Sequence, residues 1–316
     1  MGTVNENSAG AQGPAPSDHS SLSGLPEIVI VAYGSPELLT STLAPLGGCT
    51  VTIVDNSSMP EIAEIAEAAG ATYWDPGENL GFGAGVNYAL ARRQIPGSDV
   101  LLLNPDAVIE PSEILLLSEA LHAVPRIACV GPGQVDLNGN RAQVTWPYPR
   151  PSQYVADAVK LGRLVRSEPR YVIGSVLLLN AAALADIGGF DEEFFLYAEE
   201  ADWEYRAHEA GWRNVAVDDI TILHIGGGTS SDPVRREVFL QAGQQRFLLK
   251  HHGSLGWHAA RWATVLSSIP RILLFRGDRR GQAKARGSLF LHGPIALESK
   301  YRPEPKRQAR ATEGPP

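Results

Sequence analysis

Short apolar runs rich in β-branched residues alternate with helix-forming segments along the first half of the chain. Runs such as 27–32 and 51–55 have the length of single buried strands and end in polar turns. The segments 36–46 and 60–69 between them are rich in Leu, Ala and Glu, and each begins at a proline. This alternation predicts an α/β fold in which a mostly parallel central sheet carries helices on both faces.

The same pattern continues further along the chain and then weakens. Other apolar runs are 71–74, 99–104, 127–131, 172–180, 215–217 and 220–224. Other predicted helices are 86–93, 111–123, 181–187, 199–210 and 234–251, followed by a helical C-terminal region. Residues 132–170 are rich in proline and glycine and are predicted to be a long irregular excursion. Residues 1–24 have almost no large apolar groups, so we predict that they are disordered.

Composition excludes several classes of protein. The 316 residues include two cysteines, Cys49 and Cys129, in no metal-binding spacing, which argues for a reducing compartment and against a disulfide scaffold. No apolar run reaches the roughly 18 residues of a membrane span, and residues 1–24 lack a secretory core. A cytoplasmic protein is therefore expected, with contact to a membrane surface left open.

The net charge of −8 hides two regions of opposite sign. Residues 276–310 contain ten Lys and Arg against three acids, a net charge of +7 that leaves −15 for the rest of the chain. The acidic total disfavours nucleic acid as a partner. The basic end follows the apolar stretch 257–275, so it could bind anionic lipid headgroups at the inner face of a membrane. The alternative is a solvated tail that packs on the domain or in a homodimer.

Polar side chains follow the predicted strands, where an open parallel sheet binds its ligands. Tyr33 follows the first strand, Asp55 ends the second, and Asn104 and Asp106 follow the fourth. Asp55 and Asp106 are equally compatible with a purely turn-forming role. The glycine-rich loop 79–87 lacks the spacing and the position of a dinucleotide fingerprint, but its glycines indicate a backbone that passes close to a ligand or another element.

Two later segments carry further candidate groups. Glu199, Glu200, Asp202 and Glu204 start a predicted helix after several aromatic residues. They are compatible with an acidic first turn favoured by the helix dipole, or with a carboxylate whose pKa is raised by aromatic neighbours to suit a general base. His224 ends a predicted strand and is either structural or a metal ligand.

Eight segments in this order resemble the family 2 inverting glycosyltransferases of the GT-A fold, within them the bacterial rhamnosyltransferase-like branch. They are AY at 32–33, VDNS at 54–57, NLGFGAGVN at 79–87, LNPD at 103–106, GGFDEEFF at 188–195, EEAD at 199–202, GW at 211–212 and HIGGGT at 224–229. The resemblance covers about 27–252. It implies a GT-A, Rossmann-like domain over 25–252 and leaves 253–316 as a basic helical extension.

The resemblance also implies roles for individual residues. Ala32, Tyr33 and Asp55 would hold the base and ribose of a nucleotide sugar, with Asp55 accepting a hydrogen bond from a pyrimidine imide. The nucleotide and diphosphate pocket would be lined by Asn79, Gly81, Asn87 and Asn104. Asp106 and His224 would bind a divalent metal, Mg²⁺ or Mn²⁺, on the diphosphate, since these hard cations take carboxylate and phosphate oxygens. Glu200 would be the catalytic base, and Asp202 would bind acceptor or donor sugar.

Two positions depart from the family pattern. Asn104 stands where the first acid of the Asp-x-Asp motif is usual, and Glu200 stands where the base is more often Asp. The resemblance favours transfer of L-rhamnose from dTDP-L-rhamnose to a glycan or polyprenyl-diphosphate-linked acceptor in cell-wall or surface polysaccharide synthesis. Because Asn104 replaces a carboxylate of the motif, the sequence is also compatible with a catalytically silent protein that binds a sugar nucleotide. A nucleotidyltransferase ranks below both, because the turn after the first strand has no basic residue.

Overall fold

The computed structural model describes residues 24–165, 168–225 and 232–302. Its strands are β1 (Glu27–Ala32), β2 (Val51–Asp55), β3 (Thr72–Trp74), β4 (Val100–Leu103), β5 (Ala107–Val108), β6 (Ile127–Val135), β7 (Thr145–Pro147), β8 (Arg170–Val172), β9 (Val176–Leu179) and β10 (Arg213–His224). Its α-helices are α1 (Pro36–Leu43), α2 (Pro60–Ala68), α3 (Phe82–Leu90), α4 (Pro111–His122), α5 (Pro151–Ala158), α6 (Ala181–Ile187), α7 (Glu199–Glu209), α8 (Pro233–Leu274), α9 (Gly277–His292) and α10 (Pro294–Glu298). Short 3₁₀ helices follow α1 and α5.

Eight strands form one sheet in the order β3-β2-β1-β4-β9-β6-β10-β5. Strands β3, β2, β1 and β4 are parallel, as are β6 and β10, whereas β9 runs antiparallel to both of its neighbours. The predicted mostly parallel α/β sheet is therefore confirmed. The chain leaves β1 toward β2 and returns to its other side as β4, so the carboxyl ends of β1 and β4 form a topological switch point, where such sheets bind ligands.

The core has two layers because successive side chains of a strand point to opposite faces. Ile28 and Ile30 of β1 pack into one buried cluster, and Val29 and Val31 pack into the other. All six residues of β1 are buried. A strand apolar on both faces must be covered on both, which explains why the helices lie on either side of the sheet.

The structure differs from the predicted elements in several places. The predicted strand 172–180 is two strands, β8 and β9, and the predicted strands 215–217 and 220–224 are one strand, β10. Helix α3 begins at Phe82 rather than at 86, so Gly83 and Gly85 lie inside the helix. A side chain at Gly85 would crowd Val31, so small residues there let α3 approach the sheet closely. The predicted irregular excursion 132–170 is wrong in part, since it contains the end of β6, strand β7, helix α5 and the first residue of β8, and β8 pairs antiparallel with β7.

The C-terminal region is helical, as predicted. Helix α8 changes direction at Gly253, whose backbone is non-helical with φ 67°. Its second half packs on α9 through a cluster that includes Trp257 and Phe290, and Arg246 of its first half forms an ion pair with Glu298 of α10. Residues 1–23 and 303–316, which include nearly all of the predicted disordered tail, lie outside the described residues. Across the ranges that the structure describes, we find no helix with the length and hydropathy of a membrane span.

Glu204 is a fully buried carboxyl that joins α7 to the β7–β8 region. Its Oε2 accepts a hydrogen bond from the backbone N–H of Val172 at 2.9 Å. Its Oε1 has no hydrogen-bond partner among the described residues. Burial raises the pKa of Glu204 well above its ordinary value, and the nearby Glu200 charge raises it further. The folded protein therefore binds a proton here that the unfolded chain releases near pH 4.5.

We expect Glu204→Gln to stabilise the protein at neutral pH. A raised carboxyl pKa makes the folded state bind more protons, so stability falls as pH rises from the unfolded pKa through the folded one. The neutral amide removes that loss, and the gain should be about 1–3 kcal/mol at pH 8 and small at pH 4. Denaturant unfolding across this pH range measures it, with Glu209→Gln on the exposed end of α7 as control. A gain that does not depend on pH would contradict the buried-proton explanation.

Candidate active site

A cavity of about 1420 Å³ opens at the carboxyl ends of β1 and β4. Tyr33, which follows β1, and Asn104, which follows β4, both line it, as do Asn79 and Gly81 of the glycine-rich loop. The parallel pairing of β1 with β4 brings the first two side chains to the same edge of the sheet. Four of the residues predicted to bind nucleotide sugar thus meet in one cavity.

Asp55 and Ala32 lie behind this edge rather than in the cavity lining. Asp55 is fully buried, and four groups donate to its carboxylate: the backbone N–H of Ser57, the Ser57 hydroxyl, the backbone N–H of Met59 and the Tyr73 hydroxyl. The structure therefore gives Asp55 the contacts of a turn-forming residue, and its predicted bond to a base would compete with four existing donors. Ala32 is also fully buried, and its carbonyl accepts from the backbone N–H of Asn56.

The glycine-rich loop is held by two asparagines. The Asn56 side chain donates to the carbonyl of Gly81 at 2.9 Å, and the Asn79 side chain accepts from the backbone N–H of Gly81 at 2.9 Å. Gly81 has φ 87°, and a methyl group there would overlap the carbonyl oxygen of Phe195. This position therefore requires glycine for both its conformation and its close approach. The contact ties the loop to the segment that precedes α7.

Asp106 and His224 are brought together by the antiparallel pairing of β5 with β10. The Nε2 atom of His224 lies 3.2 Å from Oδ1 of Asp106, and the two residues were predicted as metal ligands. Asp106 is nearly buried, whereas His224 lines the cavity. A carboxylate oxygen suits Mg²⁺ and Mn²⁺, and Mg²⁺ is often held by one or two carboxylates together with water and substrate phosphates. A neutral imidazole is a common ligand of transition-metal ions. The pair fits that arrangement, although no group of three acidic, His or Cys residues that could hold a metal alone occurs within the described ranges.

Glu199 and Glu200 line the cavity from the first turn of α7. The preceding residues, Tyr197 and Ala198, have φ of 67° and 71°, a left-handed backbone conformation that residues other than glycine rarely adopt. Two successive residues of this kind persist only where surrounding packing imposes them, and such strain collects at functional sites. The turn delivers the two carboxylates to the cavity at the start of the helix.

The two carboxyls have unusual protonation behaviour. Burial raises the pKa of Glu199 well above its ordinary value, and the neighbouring Glu200 charge raises it further. Burial also raises the pKa of Glu200, opposed by backbone N–H groups that include that of Gly174. Two adjacent carboxyls with little access to water do not ionise together easily, so the pair retains a proton to higher pH than separate glutamates would. An ionised carboxylate with a raised pKa has the character of a general base.

Asp202 was predicted to bind sugar, and the structure gives it a different role. It is fully buried, lies outside the set of described residues that line the cavity, and contacts the Arg206, Lys250 and His251 side chains at 3.0, 2.8 and 2.8 Å. These partners hold its pKa below the ordinary value, against the opposing effect of burial. Two residues beyond Glu200, the helix has turned by about 200°, so Asp202 meets α8 instead of the cavity.

Asn87 also lies elsewhere than predicted. Its side chain donates to the carbonyl of Phe190 at 2.8 Å and to Glu192 at 2.9 Å, and it accepts from the backbone N–H of Phe190 at 2.9 Å. It is absent from the described residues that line the cavity. Asn87 therefore links α3 to the loop before α7 and does not contact the pocket.

Several groups that line the cavity were not predicted from the sequence. They come from the predicted irregular excursion, from the start of the predicted helix 234–251 and from the C-terminal region: Arg150, Tyr154, Arg163, Arg235, Arg236, Thr264, Arg271 and Arg286. An arginine in such a segment carries no signal of the cavity that its side chain will line. Their convergence on one cavity depends on how α5, α8 and α9 pack.

Comparisons with known proteins agree with this fold. No protein-family model matches the chain. A mannosyltransferase from Pyrobaculum calidifontis, solved in complex with GDP-mannose and Mn²⁺, superposes with a TM-score of 0.51 at 14% identity, covering 87% of this chain and 83% of that one. The fold is therefore GT-A, as predicted.

Two curated relatives define the class more closely. N-acetylglucosaminyl-diphospho-decaprenol L-rhamnosyltransferase of Mycobacterium tuberculosis is 28% identical over 91% of this chain and 97% of its own length. The low-salt glycan biosynthesis hexosyltransferase Agl10 of Haloferax volcanii is 26% identical over 57% of this chain and 60% of its own. The chain is therefore similar to glycosyltransferases over most of its length, and its predicted resemblance to rhamnosyltransferases is confirmed.

Gly243→Ala should displace the strained turn that presents Glu200. A methyl group at Gly243 of α8 would overlap the carbonyl oxygen of Tyr197 and lie 3.1 Å from the Ala198 side chain. We expect a stability loss of about 1–3 kcal/mol from overpacking, and a larger proportional loss of transferase activity at temperatures where the variant stays folded. Gly281→Ala is the control, since a methyl there meets nothing within 4 Å on an exposed helix face. Full activity in a destabilised Gly243→Ala would contradict a role for the turn in placing Glu200.

Proposed function

We propose that the protein is an inverting glycosyltransferase that moves L-rhamnose from dTDP-L-rhamnose to a polyprenyl-diphosphate-linked N-acetylglucosamine. One observation carries the mechanism: the buried carboxyl of Glu200 lines the same cavity as Tyr33 and Asn104 at the switch point of the sheet. The proposed base and the residues proposed to bind the nucleotide sugar therefore line one cavity. The choice of L-rhamnose as the transferred sugar and of a lipid-linked acceptor rests on the mycobacterial relative, whose name states an L-rhamnosyl transfer to a diphospho-decaprenol-linked sugar. The inverting stereochemistry rests on the family resemblance.

The chain's own residues have distinct tasks in this reaction. Tyr33, Asn79 and Asn104 orient the nucleotide and its diphosphate at the carboxyl ends of β1 and β4. Glu200 takes the proton from the acceptor hydroxyl as that oxygen attacks the anomeric carbon on the side opposite the diphosphate, which inverts the configuration. Glu199 stays protonated beside it, so that the pair carries one negative charge rather than two. Burial raises the basicity of Glu200 toward the range useful for a base.

A divalent ion fits beside the diphosphate. Asp106 and His224 would hold it together with phosphate oxygens of the donor, and when bound it would offset the negative charge that develops on the leaving group. Because Asn104 stands in place of a second carboxylate, binding of the metal ion would depend more on the phosphates of the nucleotide. The Mn²⁺ reported with GDP-mannose in the structurally similar mannosyltransferase supports this assignment.

We expect nucleotide release from dTDP-L-rhamnose to require the acceptor and a divalent ion, and to collapse in Glu200→Gln. Loss of a general base lowers the rate by about 10²–10⁴-fold, whereas affinity for the donor should change little. In the wild type, activity should fall as pH is lowered through the Glu200 pKa, which lies above the 4.5 of an ordinary glutamate. Steady-state kinetics with a panel of nucleotide sugars, with and without Mn²⁺ and Mg²⁺, measures all three effects.

Glu193→Gln, at an exposed position of the loop that precedes α7, serves as the control. A different preferred sugar would correct the donor alone. Tight donor binding with no turnover for any acceptor, together with indifference to Glu200→Gln, would identify a catalytically silent sugar-nucleotide-binding protein instead. Retention of the anomeric configuration in the product would overturn the role of Glu200 as base for direct attack.

We also propose that the C-terminal helices rest on an anionic membrane surface, where a lipid-linked acceptor resides. Four residues of α8, Trp262, Leu266, Ile269 and Leu273, recur at helical spacing and are all exposed; we call them the apolar helix face. Exposed Arg276, Arg279 and Arg280 follow directly and outnumber the single acid Asp278. Apolar residues beside cations match the acyl chains and headgroups of anionic lipid.

Leu266→Ser combined with Leu273→Ser should abolish binding to vesicles that contain phosphatidylglycerol. Each leucine removed from the interface costs about 1.5–3 kcal/mol, or roughly tenfold or more in partitioning. Binding by the wild type should weaken as salt is raised and be far lower on phosphatidylcholine alone, because the cations are screened or lack a partner. Vesicle sedimentation measures this, with the exposed Leu116→Ser of α4 as control. Equal binding by wild type and double variant, or a stable dimer that buries the face, would exclude the membrane.

A further inference from the structure

The cavity is larger than one nucleotide sugar needs. Its volume of about 1420 Å³ exceeds the roughly 300–1,000 Å³ of ordinary small-molecule pockets. One end is the switch point described above. The other is bounded by α5, the 3₁₀ turn 162–164, the second half of α8 and α9. A second ligand therefore has room beside the donor.

Four arginines line this second end, and we call them the arginine wall: Arg150, Arg163, Arg271 and Arg286. Arg150 directly precedes α5, Arg163 lies in the 3₁₀ turn, and the other two belong to α8 and α9. The wall gathers cations from four separate elements. The polar residues Tyr154, Thr264 and Gln244 lie between them in the cavity lining.

The arginine wall lacks the counter-charges that arginines have elsewhere in the protein. Arg206 pairs with Asp202, and Arg246 pairs with Glu298. By contrast, within the ranges that the structure describes, none of the four wall arginines forms an ion pair with a carboxylate. Asp157 is the acid that lines the cavity at this end, and its Oδ1 accepts from the Gln153 side chain.

The charges of the wall act on its neighbours. The Arg286 guanidinium opposes the rise that burial causes in the pKa of Tyr154. Burial lowers the pKa of His252, and the Arg150 charge lowers it further. Both effects require that the cations lie close to groups of the same region. The second end of the cavity is thus electropositive, whereas the first turn of α7 is acidic.

Arginines that converge on a cavity without carboxylate partners are suited to bind an anion. A guanidinium offers a planar fork of N–H donors that matches phosphate oxygens in pairs. Several such forks around one volume fit a polyanion better than a single carboxylate. The donor diphosphate belongs at the switch point with Asn104, Asp106 and His224, so the arginine wall is available to a second diphosphate.

We propose that the arginine wall binds the diphosphate of the acceptor. This inference rests on the proposed function, because it assumes an acceptor in which a sugar is joined to a lipid through a diphosphate. With the diphosphate on the wall, the attached sugar extends into the cavity toward Glu200. A donor-side site and an acceptor-side site then face each other across the base.

The course of α8 supports a lipid on the far side of this diphosphate. Thr264, Ser267 and Arg271 of α8 line the cavity, whereas Leu266 and Leu273 in the same turns are exposed on the apolar helix face. One stretch of helix therefore presents polar groups to the headgroup and apolar groups to the outside. A lipid that enters along this helix would pass from apolar to cationic surroundings.

Arg271→Gln and Arg286→Gln test the wall. With a short-chain, water-soluble polyprenyl-diphosphate N-acetylglucosamine as acceptor, each should raise the acceptor KM by about 10- to 100-fold, the loss expected for charge-assisted hydrogen bonds. The donor KM and the slow hydrolysis of donor by water should not change. An alkyl N-acetylglucosaminide, which has no phosphate, should be used equally well by wild type and variants. Lys160→Gln is the matched control, since it removes an exposed cation next to α5 that is not among the cavity-lining residues.

Binding of inorganic pyrophosphate separates this inference from the proposed function. Calorimetry with dTDP filling the donor site should show that pyrophosphate binds to the wild type and to Lys160→Gln. Binding should be at least 100-fold weaker in a variant that carries both Arg271→Gln and Arg286→Gln. That result would stand even if no rhamnose were transferred, in which case only the proposed function would fail. Unchanged pyrophosphate affinity, an unchanged acceptor KM, or an equal rise in the donor KM would overturn the assignment. Melting temperatures confirm that the variants are folded.

Discussion

The site depends on a buried carboxylate that fastens two helices together. Asp202 of α7 meets Lys250 and His251 of α8 and Arg206 of its own helix, and it is fully buried among them. Removing one partner of such a group leaves an uncompensated charge in the interior, which costs about 3–5 kcal/mol. The contact holds the first turn of α7 against α8, so that Gly243 presses on the carbonyl of Tyr197 and the turn before Glu199 keeps its left-handed conformation.

Neighbouring carboxyls of α7 thereby acquire opposite properties. Asp202 is surrounded by cations, and its pKa falls. Glu199 and Glu200 lie three and two residues earlier, form no ion pair with any described residue, and have raised pKa values because burial penalises their charge. Separation of acids into a structural and a chemical set by their surroundings is a common way for one element to hold a fold and supply a base. The cavity shows the same division of charge on a larger scale, with acids at the start of α7 and arginines before α5, in the 3₁₀ turn 162–164 and on α8 and α9.

Much of this arrangement was predictable from the residues. The alternation of β-branched runs and helices led to the GT-A sheet, and the rule for strand ends placed Tyr33 and Asn104 at one edge. Asp55, Asp202 and Asn87 were harder, because a motif position does not reveal how many hydrogen bonds a side chain already makes. Four groups donate hydrogen bonds to Asp55, and the Asn87 side chain is hydrogen-bonded to the backbone of Phe190. The arginine wall had no sequence signal at all.

The sequence by itself determined the sheet, the order of its motifs and the segment that holds Glu199 and Glu200, since these depend on local periodicity and on residues adjacent in the chain. Only the tertiary structure decided which acids face the cavity and which face a cation. It also decided that Arg150, Arg163, Arg271 and Arg286, spread over more than a hundred positions, line one volume. The physical reason is that burial and charge pairing are properties of packed neighbours, and packing between α5, α8 and α9 is set by contacts that no local pattern records.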